Sequence, residues 1–193
     1  MVKVEQYVMA YRADHDEIKK LLPEGFESLR PVLRVNAEIV KDEEYGDVFT
    51  NIEFNTPVEA AGMRGWLNLI TWESGFAEIH CVKGPQTTSF TICYPDGNFL
   101  DVDFTRTGRA GGCPHEEDND GTFYIDEILD ETSFMEAEEI NTPKEYCDSE
   151  IQWNAPEYEF FDAKDEVVRY AMGIPVEEVL GAYVVEFYRE FDY

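Results

Sequence analysis

FTNIEFNTPVEAAGMRGWLNLITWESGFAEIHCVKGPQTTSF, residues 49–90, is the stretch whose reading decides the fold. It divides into three strand-like runs, parted by Glu59 to Gly65 and by Glu73-Ser74-Gly75. The middle run, Trp66 to Trp72, is apolar on both faces apart from Asn68 and Thr71. A strand apolar on both sides belongs in the middle of a sheet or barrel, with protein on each face. The third run ends at Lys83-Gly84-Pro85.

Working outward, Val4 to Tyr11 and Pro31 to Val40 read as strands. Between them, Asp14 starts a short helix, with Glu17 completing a capping-box arrangement and Pro23 and Gly25 ending it. Along the second of these strands, Val32, Arg34, Asn36, Glu38 and Val40 share one face, and Leu33, Val35, Ala37 and Ile39 share the other. Thr87 to Tyr94 and Asn98 to Thr105 form a hairpin around Pro95-Asp96-Gly97. Arg106 to Gly121 reads as a loop, and Thr122 to Ile140 fits either strand or helix. Ser149 to Phe161 ends in an apolar strand. Pro175 to Gly181 predicts a short helix, with Pro in its first turn and Gly at its end. Ala182 to Tyr193 alternates as a closing strand. The inventory predicts one mainly β domain over residues 1–193, an antiparallel sheet, curved or closed, with a few short peripheral helices.

With 42 acidic against 15 basic residues the net charge is −27. That balance excludes nucleic acid and anionic membrane surfaces as partners, since both need clustered Lys and Arg. The start, MVKVEQYVMAYR, lacks the apolar run of a signal peptide, and no window approaches 18 apolar residues, so the reading is a cytoplasmic chain. Cys81, Cys93, Cys113 and Cys147 are widely spaced and read as reduced thiols.

Four kinds of chemistry have candidate residues in the sequence. A Schiff base needs a lysine in an apolar setting. Of the seven lysines only Lys83 follows an apolar strand, and an ordinary turn lysine is the plainer reading. Glu116 to Glu127 spaces oxygen ligands as a calcium loop does, with Gly121 at its sixth position. Its first ligand is Glu, however, and GRAGGCPH before it cannot form a helix, so the run reads as a solvated acidic loop. His80, Cys81, Cys93, Cys113 and His115 show no zinc spacing beyond Cys113-Pro114-His115. His15, His80 and His115 have no nucleophile elbow nearby. No metal and no cofactor is expected.

The ordered set of segments resembles the acetoacetate decarboxylase family. The likeness is carried by Tyr11-Arg12-Ala13-Asp14 with Leu22-Pro23-Glu24-Gly25-Phe26-Glu27, Pro31 and Arg34; by Phe49-Thr50, Pro57-Val58, Gly62 and Gly65 through Ile79; by Trp153-Asn154-Ala155-Pro156 with Phe161-Asp162; and by Pro175-Val176-Glu177-Glu178-Val179 to Asp192-Tyr193. The resemblance implies a cone-shaped antiparallel β-barrel with an apolar internal pocket for a small organic acid, small outer helices and a homo-oligomer. The family's Gly-Arg-Glu…Pro-Lys-Lys signature is missing. Phe90 and Thr91 fall where its lysine pair would stand, Asn36 and Asn51 on two pocket glutamates, and Val4 on a pocket arginine.

Three readings follow: a small-molecule binder with Asn36, Asn51 and Phe90 in its pocket and no Schiff-base decarboxylation; a lyase on a keto acid with Lys83 as the amine; or a non-catalytic interaction module with a filled barrel. The acidic, lysine-poor composition also suits a salty cytoplasm, where ions screen the surface repulsion. The melting temperature is therefore expected to rise between low and molar salt; a melt that salt leaves unchanged would remove the salt-adapted reading.

Overall fold

The computed structural model describes residues 1–46, 48–75, 77–94, 97–114, 116, 119–125, 132–137, 141–154 and 163–190. The strands are β1 (Val2–Arg12), β2 (Glu27–Ser28), β3 (Val32–Asp42), β4 (Val48–Ala60), β5 (Met63–Glu73), β6 (Glu78–Lys83), β7 (Thr87–Tyr94), β8 (Gly97–Ala110), β9 (Gly121–Ile125), β10 (Thr132–Glu136), β11 (Glu145–Trp153) and β12 (Glu178–Arg189). The helices are α1 (His15–Lys19) and α2 (Ala163–Gly173). No helix is long and apolar enough to cross a membrane.

The strands form one sheet in the order β10-β9-β5-β4-β3-β1-β12-β11-β8-β7-β6, with β2 added beside β4. Neighbours pair antiparallel except β5 with β9, where Trp66, Leu67 and Asn68 run parallel to Thr122, Phe123 and Tyr124. The expected barrel does not close by hydrogen bonding among the described residues: β10 and β6 are free edges. The sheet curls instead, because side chains from distant strands meet on one face. Phe54 of β4 packs on Trp153 of β11 at 4.8 Å between ring centroids, and Trp72 of β5 on Phe99 of β8 at 5.7 Å. Tyr7, Phe90 and Phe104 extend the same cluster, and Ile18, Leu21, Val168, Ala171 and Met172 of the helical segments pack onto it. A second, smaller core lies on the opposite face: Val2, Val4, Val8 and Ala10 of β1, Val32 and Val40 of β3, Trp66 of β5, and Tyr183, Val185 and Phe187 of β12.

The middle run behaves as its composition demands. β5 lies between β4 and β9, sending Leu67, Leu69 and Trp72 to the large core and Trp66 to the small one. The β4–β5 hairpin turns on Ala61 and Gly62, both at positive φ (51° and 79°), the geometry of a two-residue turn that follows strand twist. Gly65 has no room for a side chain, since a Cβ there would strike the carbonyl of Gly121 where β9 joins. Asp14 caps α1 by accepting from the N–H groups of Asp16 and Glu17. All four cysteines are free.

Several boundaries differ from the sequence reading. Glu178 to Leu180 belong to β12, not to a helix: Glu178 and Val179 pair with Arg12 and Tyr11, and satisfying β1's edge outweighs a weak local helix preference. β8 continues to Ala110, into the expected loop, held by β11. The ambiguous 122–140 region supplies β9 and its antiparallel partner β10. α2 was not anticipated, although Val167, Val168, Ala171 and Met172 give it one apolar face. His115, residues 117, 118 and 127 of the acidic loop, and the resemblance positions 155–156, 161–162 and 192–193 lie outside the described residues.

Phe54 is wholly buried at the contact that curls the sheet. Phe54→Ala is expected to cost about 3–5 kcal/mol in urea denaturation, while Val82→Ala on the exposed edge strand should stay within about 0.5 kcal/mol.

Candidate functional site

Strand alternation sends polar side chains of β3 and β4 to the face that carries the smaller core. Register makes them neighbours: Arg34 opposite Asn55, Asn36 opposite Glu53, Glu38 opposite Asn51. On the next strand Asn55 faces Asn68 and Glu53 faces Thr71, and Tyr124 of β9 stands beside Asn68. The result is a polar band across four strands, bordered by Val4, Val8 and Trp66.

Arg34 is buried, its guanidinium 3.6 Å from the Trp66 ring centroid. Its Nε–H donates to Asn55 Oδ1 at 2.8 Å. No carboxylate pairs with it among the described residues, and burial lowers its pKa against the pull of Tyr183 and Glu53. Glu53 accepts from the Tyr124 hydroxyl at 3.1 Å. Burial pushes the Glu53 carboxyl above the usual carboxylate range; Arg34 draws it down, Glu38 raises it again, and Tyr124 and Asn36 favour its charged form. Tyr124 is itself raised by burial and by the Glu53 charge. Glu38 is held by Arg189, whose two terminal nitrogens donate at 2.9 and 3.0 Å, and by Gln6 at 3.2 Å.

Four asparagines of this band keep polar atoms that are shielded from solvent and unpaired: Asn36 Oδ1, Asn51 Oδ1, Asn55 Nδ2 and Asn68 Oδ1. Asn55 and Asn68 are buried, and Asn68 Nδ2 donates to Thr71 Oγ1 at 2.8 Å. Buried polar groups are otherwise almost always paired, so such a concentration marks a place where water or a ligand completes the hydrogen bonding.

The segment after β8 covers the adjoining part of this face. Cys113 Sγ–H lies 3.3 Å from the Gly181 carbonyl and 3.7 Å from that of Val8, and burial pushes its thiol up to about 12. Lys144 donates to Glu116 and sits 4.6 Å from the Tyr183 ring centroid. Burial raises the Tyr183 hydroxyl, helped by Glu116.

The residues expected to form the site do not all meet. Asn36, Asn51 and Val4 share the polar-band face. Phe90 lies on the opposite face, 5.4 Å from Tyr7 and 6.0 Å from Phe104 between centroids. Its register with Val102 and its place in the aromatic core put it there, so it is a core residue rather than a neighbour of the asparagines. Lys83 is exposed on that same opposite side and donates to both Glu5 carboxylate oxygens at 2.5 and 2.6 Å. Among the described residues no three His, Cys, Asp or Glu side chains gather as metal ligands. Sequence reading passed over Arg34, Glu53 and Tyr124 as site residues, although the face it assigned to β3 placed Arg34 beside Asn36.

A large, mainly antiparallel sheet curled around an aromatic core, with small outer helices, is the acetoacetate decarboxylase-like fold. Among solved structures, the acetoacetate decarboxylase of Legionella pneumophila subsp. pneumophila str. Philadelphia 1 superposes with a TM-score of 0.72 at 13% identity, covering 96% of this chain and 82% of that one. An acetoacetate decarboxylase-like enzyme from Sphingomonas wittichii RW1 gives 0.67 at 12% identity, covering 96% and 87%. The enduracididine biosynthesis enzyme MppR in complex with pyruvate gives 0.64 at 12% identity, covering 96% and 84%. At these identities the likeness is one of fold. No protein-family profile and no curated protein matches the sequence.

The raised Glu53 carboxyl sets a pH dependence. In the native state it keeps its proton to higher pH than in the unfolded chain, so its contribution is fullest below the unfolded value and is lost as pH rises through the folded one. Glu53→Gln cannot ionise. Its stability relative to the parent is expected to climb as pH rises above the ordinary carboxylate range in urea denaturation; a difference that does not change with pH would refute the burial-raised carboxyl.

Proposed function

We propose that this protein uses an acetoacetate decarboxylase-like scaffold to bind a small carbonyl-bearing organic ligand on the polar band of β3, β4 and β5, without Schiff-base decarboxylation. The unpaired, shielded amides of Asn36, Asn51, Asn55 and Asn68 carry this reading. They sit on the face that holds the positions matching the family's pocket residues, and they need partners. Neutral amides bind and orient a carbonyl or hydroxyl group; they do not form a covalent bond to it. The capture of pyruvate by MppR, a protein of the same fold, supports a ligand of keto-acid size.

A Schiff base needs a free amine in an apolar enclosure. Phe90 offers no amine, and Lys83 is exposed and engaged by Glu5. Lys144 gives the lyase reading a stronger anchor than Lys83, because it is half-buried beside Tyr183 on the cover of the polar-band face. Its ammonium is nonetheless held by Glu116. Homo-oligomer formation and a cytoplasmic location are carried with the binding reading as expectations of the scaffold.

Two measurements test it together. Incubation with acetoacetate or pyruvate and borohydride, followed by intact mass, is expected to show no lysine adduct; a gain mapped to Lys83 or Lys144 would establish the lyase instead. Ligand-observed NMR with pyruvate should show binding that Asn36→Val weakens, and pyruvate binding indifferent to that substitution would move the site elsewhere.

A further inference from the structure

The two charged residues of the polar band fix which way two of its asparagines point. Arg34 can only donate, so the Asn55 amide turns its oxygen to Arg34 Nε and leaves its Nδ2 hydrogens facing away. Asn36 lies opposite Glu53, and where that carboxyl is ionised it can only accept, which turns the amide's NH2 end towards it. The Asn36 oxygen is thereby left unpaired. The Asn55 amide cannot flip to satisfy its orphan atom without breaking its bond to Arg34. The outcome is one fixed donor and one fixed acceptor on the same face, on diagonal rungs of adjacent strands. Such diagonal residues stand about 7 Å apart at the backbone, and side chains that extend from them approach one another above the sheet.

We propose that Asn36 and Asn55 form a two-point recognition element for an uncharged amide, a ligand group that presents an N–H beside a C=O, with cyclic amides as the best-shaped members of the class. The Asn36 oxygen accepts the ligand N–H, and the Asn55 NH2 donates to the ligand carbonyl. Arg34 and Glu53 act as positioning residues through these two amides. Asn51 Oδ1, next along the face from Glu53, is a further shielded acceptor for a second N–H. The net charge of −27 and the presence of Glu38 and Glu53 in the band weaken binding of a carboxylate such as pyruvate relative to an uncharged group of the same size. This inference rests on the reading of the polar band as a ligand site, and it narrows that site's ligand from a carbonyl compound to an amide.

The test compares 2-pyrrolidone with γ-butyrolactone, a ring of the same shape that lacks the N–H, and with pyruvate, by ligand-observed NMR and calorimetry on the intact protein. The lactam is expected to bind at least about tenfold more tightly than the lactone, the scale of one hydrogen bond at a shielded partner. Asn36→Val is expected to abolish that preference, and Asn55→Val to weaken both rings. The lactam–lactone comparison on the parent protein needs no variant, so a failure of Asn55→Val to fold leaves the test intact. Equal binding of lactam and lactone, or a lactam preference that survives Asn36→Val, overturns the amide inference. Pyruvate binding that depends on Asn36, with neither ring bound, overturns it and leaves the broader ligand site standing. Binding of none of the three overturns both and assigns the orphan atoms to ordered water.

Discussion

Rings from strands far apart in the sheet meet on one face: Phe54 with Trp153, Trp72 with Phe99, and Tyr7 with Phe90 and Phe104. A flat sheet of this order cannot bring β4 and β5 to β8 and β11; it has to curl until the aromatic face is shared. Burial of that many large side chains supplies the driving force. Edge-to-face and tilted ring geometries fix how far the curl goes. The small helices are secondary to it, laying Ile18, Val168, Ala171 and Met172 over cluster surface that the strands leave open.

Once one face is committed to the aromatic core, strand alternation commits the other face to whatever lies between those residues. On β3 and β4 that is Arg34, Asn36, Glu38, Asn51, Glu53 and Asn55. Burying charge is costly without compensation, and the band answers with Arg189 on Glu38, Tyr124 on Glu53, and Trp66 and Asn55 on Arg34. The compensation is incomplete at the amides, where Asn36, Asn51, Asn55 and Asn68 keep unpaired polar atoms. The unpaired amides and the aromatic core therefore lie on opposite faces of one sheet.

The positions matched to the known family fall on both faces. Val4, Asn36 and Asn51 stand together on the second face, whereas Phe90, placed by counting along the chain, belongs to the aromatic core. Two turns lie between β5 and β7, and each turn residue added or removed reverses the face of everything after it. Asn36 and Asn51 lie on the long strands β3 and β4, whose alternation puts both on one face. Arg34 and Glu53 escaped notice for a different reason: a charged residue on a strand reads as solvent-facing until the layer above it is known.

The sequence by itself determined the class of the fold. Alternation in β1, β3 and β12, two-sided apolarity in β5 and the turn residues between strands are local properties, and each leaves its mark within about ten residues. It also determined the acidic surface and the absence of a lysine at Phe90. Tertiary structure alone decided three other things. It made Glu178 to Leu180 part of a strand, because β1 offered a hydrogen-bonding edge. It left the sheet open among the described residues, where β10 and β6 pair on one side only. It joined Arg34, Glu53 and Tyr124 with the asparagines, because β9 returns from more than fifty residues away to lie parallel against β5. Contacts between segments so distant in the chain depend on how the layers stack, and no local pattern encodes that.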